Sequence, residues 1–321
     1  MMRRIGIALV VAWALAAASA PVLAPYSADT RFAALLNAPP TVPHLSGARL
    51  TIQPWRLVSR LEQQYDRDSS REIALRWFAH GHLVESSDPA VPLTLLGTDS
   101  FGRDVFSRML FGARTSLSLG LVSAIGAVVI GALAGGVAGY LGGPLDDVLM
   151  RTSDFVMVLP AMYVALALRS VMPLVLPAST VFVLLSAIFA IVGAPFIARG
   201  VRAIVRSERT LDYAVAAQAL GASGPRILFR HLLPAAFGFI AIQLTLLVPG
   251  FIVAEATLSF VGLGFPNPIA SWGTMLHDAS ANVRVFADFP WLLSPAAAMF
   301  LVVLGLNLAL EGRRTGLESL R

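Results

Sequence analysis

Five stretches of this 321-residue chain carry no charged residue: Ile5 to Leu23, Thr115 to Leu145, Ser170 to Ala198, Leu232 to Ala254 and Phe289 to Leu310. A helix needs ~20 apolar residues to cross the ~30 Å hydrocarbon layer of a bilayer, and a water-soluble core has nowhere to put so many. Phe155 to Leu176 supplies one more span if Arg169 lies near its outer end. The run after Arg169 then divides near Pro173 and Pro177, leaving a separate span from about Ser179 to Ala198. The expectation is an all-α polytopic membrane protein with six transmembrane helices.

Composition narrows the chemistry. Charged residues are only 13% of the chain and apolar ones 56%, against roughly a quarter charged in a soluble domain. Without cysteine there is no disulfide, thiolate metal site or cysteine nucleophile. All 24 basic residues are arginine, which removes the P-loop lysine, Schiff-base chemistry and the kinase lysine together. If ATP drives this chain, a partner hydrolyses it.

Orientation follows from arginine in the short connections. With the N-terminus inside, the inner segments hold Arg3, Arg4, Arg151, six arginines between Arg199 and Arg230, and Arg313, Arg314 and Arg321. The short outer segments hold only Arg169 and Arg284. Both termini are expected in the cytoplasm. The first span resembles a secretory signal, with Ala18-Ser19-Ala20 as a cleavage-like pattern; Pro21 directly after it, and an apolar run longer than a signal core, favour a retained anchor.

The chain then divides into an N-terminal anchor (1–24), an extracytoplasmic insert (25–114), a five-helix core (115–312) and a short cytoplasmic tail (313–321). Within the insert, Pro54 to Tyr65 reads as a helical face of Leu57, Val58 and Leu61, and Ile73 to Val84 as a hairpin turning near Gly81. His80 and His82 share a strand face, but with no third ligand in view they read as surface histidines, and no metal is expected. In the second span Gly131, Gly135, Gly139 and Gly143 recur every four residues. That spacing reads as one helix face for close helix packing, against a general tolerance of membrane helices for glycine.

The segment 199–234, between the fourth and fifth spans, holds six arginines against Glu208 and Asp212. Val205 to Leu220 has no internal glycine or proline and favours a helix. Gly221 suits the helix C-terminus. Ser223 is placed to cap a second helix with Pro225 in its first turn, stopping at Pro234. Such a basic elbow has two readings from composition: a seat on anionic headgroups or a docking knob for a cytoplasmic partner. Tethering at both ends argues against nucleic acid.

Asp212-Tyr213-Ala214-Val215-Ala216-Ala217-Gln218-Ala219-Leu220-Gly221, followed by Arg230-His231-Leu232-Leu233-Pro234, resembles the EAA loop of binding-protein-dependent ABC importer permeases. The Gly97–Val105 motif with Ser107-Arg108, Gly112 to Leu117, Glu255 to Gly264 and Ser271-Trp272-Gly273 narrow the likeness to the C subunits of the dipeptide and oligopeptide group, over about residues 94–312. One departure is Val215, where the family carries glutamate; no carboxylate role carries over to it.

The resemblance implies a type I ABC importer permease in the bacterial inner membrane. It also implies a second permease, making a heterodimer, two ATP-binding subunits, an extracytoplasmic solute-binding protein and no cofactor. The expected solute is a dipeptide or oligopeptide; the alternatives are a nickel chelate or glutathione-like peptide, or a secondary transporter. By the same resemblance Asp212, Ala216, Ala217, Gly221 and Pro234 belong to the ATPase-coupling loop. Arg226 and Arg230 meet either acidic groups there or lipid. Gly97, Asp99, Gly102, Arg103 and Asp104 form an outer motif, which either pairs and caps locally or seats the external segment. Glu255, with Ser259, is a gate candidate or an interfacial carboxylate, and Asp154 reads as the cap of the third span.

Overall fold

A computed structural model describes residues 2–46, 49–159, 161–171, 173, 176–281 and 284–318, with side chains described up to residue 309 except that of residue 161. The chain forms two compact units, one of residues 1–117 and 256–309, the other of 118–255 and 310–321. Each is taken by itself.

In the first unit, α1 (Met2–Ala18) and α2 (Ala20–Leu23) are separated by a turn at Ser19. Pro21 explains the interruption: it cannot donate the backbone hydrogen bond that a continuous helix requires there. The α2 end packs Ala20 and Ala24 on Leu110. Gly6 lies so close to Gly305 that a Cβ would sit 2.6 Å from the Gly305 carbonyl oxygen, which lays α1 along the C-terminal helix α11 (Ser294–Glu318).

The insert, bounded by the sequence at residue 114, is helical only from Val105, where α3 begins. Strands β1 (His44–Ser46), β2 (Arg49–Ile52), β5 (Ile73–Ala79) and β6 (His82–Ser86) form an antiparallel sheet in the order β1-β2-β5-β6. Strands β3 (Trp55–Ser59) and β4 (Gln64–Arg67) make a separate ribbon. The helical class holds for the candidate membrane-crossing segments, and the insert adds these two small sheets to it. Along β3, Trp55, Leu57 and Ser59 turn inward while Arg56 and Val58 turn outward, a period of two that no helix satisfies. Leu61, expected on a buried helical face, is 98% exposed. The second hairpin forms as expected, its two-residue turn at His80 and Gly81 having φ 48° and 87°, the positive pair that matches strand twist. Ile52, Val91 and Leu93 form the sheet's small core.

In the second unit, α3 (Val105–Leu141) enters at Ser118, followed by α4 (Gly143–Val158), α5 (Ala161–Val171), α6 (Ala178–Glu208), α7 (Asp212–Ala219), α8 (Gly224–Ile227) and α9 (Phe237–Phe260), which leaves it after Glu255. Backbone-to-backbone packing of α3 on α6 runs along three of the four glycines. A Cβ at Gly131 would lie 2.6 Å from Ala194 O and one at Gly139 2.7 Å from Arg202 O, and at Gly135 it would overlap the Ala198 carbonyl. Gly143 is not on that stripe: α3 ends at Leu141, and Gly142 and Gly143 both take positive φ to start α4. Asp154 lies inside α4, 3.2 Å from Arg199, and caps nothing.

Among the described residues four helical segments are long and apolar enough to cross a membrane: Val105–Leu141, Ala178–Glu208, Gly224–Phe260 and Pro290–Ala309. The α4–α5 pair, bent by 90°, makes a fifth if taken as one broken span. The expected third span, from Phe155 to Leu176, covers the end of α4 and all of α5, and its residues 160, 172, 174 and 175 lie outside the described residues. The expected first span does not reach that length alone, α1 having only 17 residues before its break.

Candidate functional site: a basic elbow and an arginine knot

The 199–234 segment is built differently from its sequence pattern in two places. Val205 to Leu220 is not one helix. Helix α6 ends at Glu208, the chain turns through Arg209 and Thr210, and Leu211 adopts the extended conformation that starts α7. Thr210 Oγ1 donates to Ser207 O at 2.8 Å, a local bond that competes with helix continuation. Pro234 does not stop the second arm either. From Gly224 the backbone passes through a π-helical turn (Leu228–Leu232) and a 3-10 turn (Leu233–Ala236) into α9. The proline stands in the first turn of the 3-10 piece, and the wide π turn before it absorbs the bond the proline cannot make. The second arm is thus the head of a 37-residue helical rod.

Between the arms the turn is set by Gly221, at φ 81°. Ala222 N donates to Ala217 O and Gly221 N to Gln218 O, both at 3.0 Å, the pair of bonds that defines a Schellman ending. Ser223 occupies the N-cap position of α8, but its side chain makes no capping bond.

Helix α7 buries Ala214 and leaves the rest of its faces open. Exposed apolar side chains gather on the elbow: Leu211, Tyr213, Val215, Phe229 and, at 88% exposure, Leu220. Ala216, Arg226 and Arg230 are exposed with them, Ala217 is half-buried, and Asp212 places its charge in the first turn of α7, where the helix dipole favours it. Isolated exposed apolar residues are ordinary, but four on or directly beside the eight-residue α7 (Leu211, Tyr213, Val215 and Leu220) mark a contact surface. Val215, standing where the resemblance expects glutamate, is part of that apolar patch.

The root of the elbow is rigid. Ile227, Leu228, Leu232 and Ala236 are buried, and Leu228 and Leu233 fill the space over Gly136. Arg202 clamps Asp146 on α4 with two hydrogen bonds, Nη2 to Oδ2 at 2.6 Å and Nε to Oδ1. Arg209 donates to the Tyr140 carbonyl at the end of α3, and Tyr213 Oη donates to Glu208 at 2.6 Å across the break. Partial burial and that bond push the Tyr213 phenol up to about 12. Arg202, Asp146 and Tyr140 carry no sequence signal for this role, because their pairing spans more than fifty residues.

In the first unit, the Gly97–Asp104 motif folds back on itself and onto Asn267 and the distant helix α10 (Trp272–Ser280). Asp99 accepts from the backbone of Phe101 and Arg103, and its Oδ2 takes Arg103 Nε at 2.6 Å. Arg103, 1% exposed, also donates to Asp278 at 2.6 Å and Asn267 at 3.2 Å, with its guanidinium over the Phe101 ring. Arg108 donates to the carbonyls of Ala28 and Pro268. Asp104 does not pair with Arg103: its Oδ2 accepts from Ser107 N and caps α3, and burial pushes its carboxyl up to about 7. Local pairing thus occurs together with bonds to residues far along the chain. Gly102 at φ 73° and Gly97 at φ 68° have no room for a Cβ beneath Phe32 and Ala38. Asp278 and Asn267, which complete the knot, were not identifiable from spacing.

Glu255 is wholly buried rather than interfacial. Ser259, also buried, packs on Gly264 and Gly273. His80 pairs with Glu85 at 2.9 Å and His82 with Ala24 O at 2.7 Å, so the two serve different partners. Among the described residues no cluster suits a metal ion.

Residues 127–318 match the family described as binding-protein-dependent transport system inner membrane component, and this stretch includes the whole elbow. The chain belongs to that family. It is 36% identical over 238 residues to the oligopeptide transport system permease protein of Bacillus subtilis (strain 168), covering 74% of this chain and 75% of the relative. It is 36% identical to a dipeptide transport system permease protein of Alkalihalophilus pseudofirmus, covering 69% and 70%. A glutathione transport system permease protein of Pectobacterium atrosepticum is also 36% identical, over 70% and 71%. The protein is thus a multi-pass inner-membrane permease component of an ABC importer, and not itself the catalytic subunit.

Proposed function

We propose that this permease carries dipeptides or oligopeptides inward, lining the pathway with a second, different permease and driven by two ATP-binding subunits beneath the membrane. An external solute-binding protein hands over the ligand. In this reading α1 with α2 completes six crossings, both termini lie in the cytoplasm, and residues 25–114 lie outside. Two of the relatives are named for peptides and one for glutathione, itself a small peptide, which supports a peptide class over a metal chelate.

The observation that carries the coupling role is the elbow itself. An exposed apolar patch is fixed by a glycine turn to two long helices, α6 and the rod through α9. A push on α7 is delivered to both as a rigid displacement, because the root is packed and clamped by Arg202 and Asp146. Asp212, Ala216, Ala217 and Gly221 would face the ATPase, with Arg226 and Arg230 at the rim of its groove. Alternating access then requires that ATP and ligand bias two global states differently. Glu255 and Ser259 are proposed near the outer gate.

Gly221→Val tests the assignment. Valine is strained at φ 81°, while open space around Gly221 means nothing clashes. The assembled transporter should keep the chain in the membrane but lose ligand-stimulated ATP hydrolysis. Unchanged stimulation would refute docking at this turn.

A further inference from the structure

The β5–β6 hairpin presents Arg76, Trp77 and Phe78 to the outside, with Trp77 57% and Phe78 78% exposed. Phe78 also takes a left-handed φ of 53°, an uncommon conformation for an aromatic residue. A large unburied tryptophan and phenylalanine beside an arginine call for a partner. The sheet core of Ile52, Val91 and Leu93 does not take them in.

Their position names that partner. His82, directly after the turn of the same hairpin, donates to the Ala24 carbonyl at 2.7 Å. Ala24 ends the apolar α1–α2 segment, which exposes Val11, Leu15 and Val22 on its outer face. That segment is tied to the candidate span Pro290–Ala309 through Gly6 on Gly305. From Gly6 to Ala24 a helix rises ~27 Å, close to the ~30 Å of a hydrocarbon layer. With α1–α2 as a crossing, as proposed above, Ala24 stands at the membrane boundary. Ala79 pairs with His82, and Trp77 with Val84, so Trp77 and Phe78 lie within ~10 Å of that boundary. This is the headgroup zone in which tryptophan and other amphipathic aromatics concentrate.

We propose that the tip of the β5–β6 hairpin is a membrane-surface anchor. Trp77 and Phe78 dip into the outer interface of the bilayer beside the first helix, and Arg76 lies among the lipid phosphates. The anchor holds the insert against the membrane at the end of α2, whatever solute the importer carries.

The chain has no cysteine, so single reporters are clean. Trp77→Cys and Phe78→Cys, each carrying an environment-sensitive fluorophore, are compared with Leu61→Cys on the other hairpin. The protein is used as the assembled transporter with cysteine-free partners in lipid nanodiscs. All three sites are exposed, so the fold tolerates the change. The expected result is that a spin label at the lipid headgroup lowers emission at 77 and 78 by about twofold or more, while aqueous iodide quenches chiefly at 61. Iodide reaching 77 and 78 as freely as 61 would overturn the proposal. So would protection from both quenchers, which would place the hairpin against a protein partner.

Discussion

Asp104 is the outer-motif residue whose titration reports on folding. Its carboxyl is buried at the head of α3 and pushed up to about 7, with burial the main cause and Asp99 adding to it. The folded chain therefore holds a proton there that the unfolded chain releases near its ordinary value of 3.8. Between those two values the folded state binds the extra proton, so stability declines as pH rises from about 4 to about 7 and levels off above that. Asp104→Asn keeps a good N-cap and removes the titration. Thermal unfolding should then lose the part of its slope between pH 5 and 7 that one proton explains; an unchanged slope would assign the dependence elsewhere. Arg103 behaves differently. It is a buried cation held by Asp99, Asp278 and Asn267; Arg103→Ala removes its bonds to two carboxylates, which keep their longer contacts to Arg108 at 3.6 and 3.8 Å, at a cost of ~1–3 kcal/mol. Arg103→Lys should recover only part of this, because an ammonium cannot reach three partners as a planar fork does. Thermal shifts of the two variants measure the difference.

At the scale of elements, the α3–α6 contact and the elbow root decide how motion is passed on. Gly135 has the Ala198 backbone where a Cβ would go, whereas Gly143 has open space but a φ of 66°. Gly135→Leu should drive α3 and α6 apart and abolish stable assembly, and Gly143→Ala should cost only ~1 kcal/mol of local strain. Size-exclusion profiles of the two variants separate these causes. Asp146 and Arg202 join α4 to α6. Asp146→Ala is expected to weaken ligand-stimulated ATP hydrolysis, and exchanging the two residues should restore part of it. A double-mutant cycle with no coupling between them would show that the clamp is passive.

Across the whole molecule, the proposed orientation predicts which side each segment faces. A cysteine in place of Ala222 on the elbow should react with an impermeant maleimide only after the membrane is opened from the cytoplasmic side. One in place of Leu61 on the insert should react from outside. Labelling of both from the same side would overturn the proposed orientation. N-terminal sequencing of the mature chain distinguishes a retained first helix from one cut before Pro21.

Uncharged runs, arginine placement and the punctuation of the elbow by Gly221 were readable along the chain, because hydrophobic length and backbone permissiveness act locally. The α6–α7 break at Arg209, the passage of the rod through Pro234 and the two sheets of the insert were not. Thr210 bonding back to Ser207, a π turn making room for proline, and strand partners many residues away each override local preference. The same holds for the outer knot. Asp99 and Arg103 are neighbours in sequence, but Asn267 and Asp278 reach Arg103 from 164 and 175 residues away. Sequence determined which segments are apolar enough to leave water and where a glycine lets the elbow turn; tertiary structure decided which charges meet, since buried charges are stabilised by partners that only folding brings within reach.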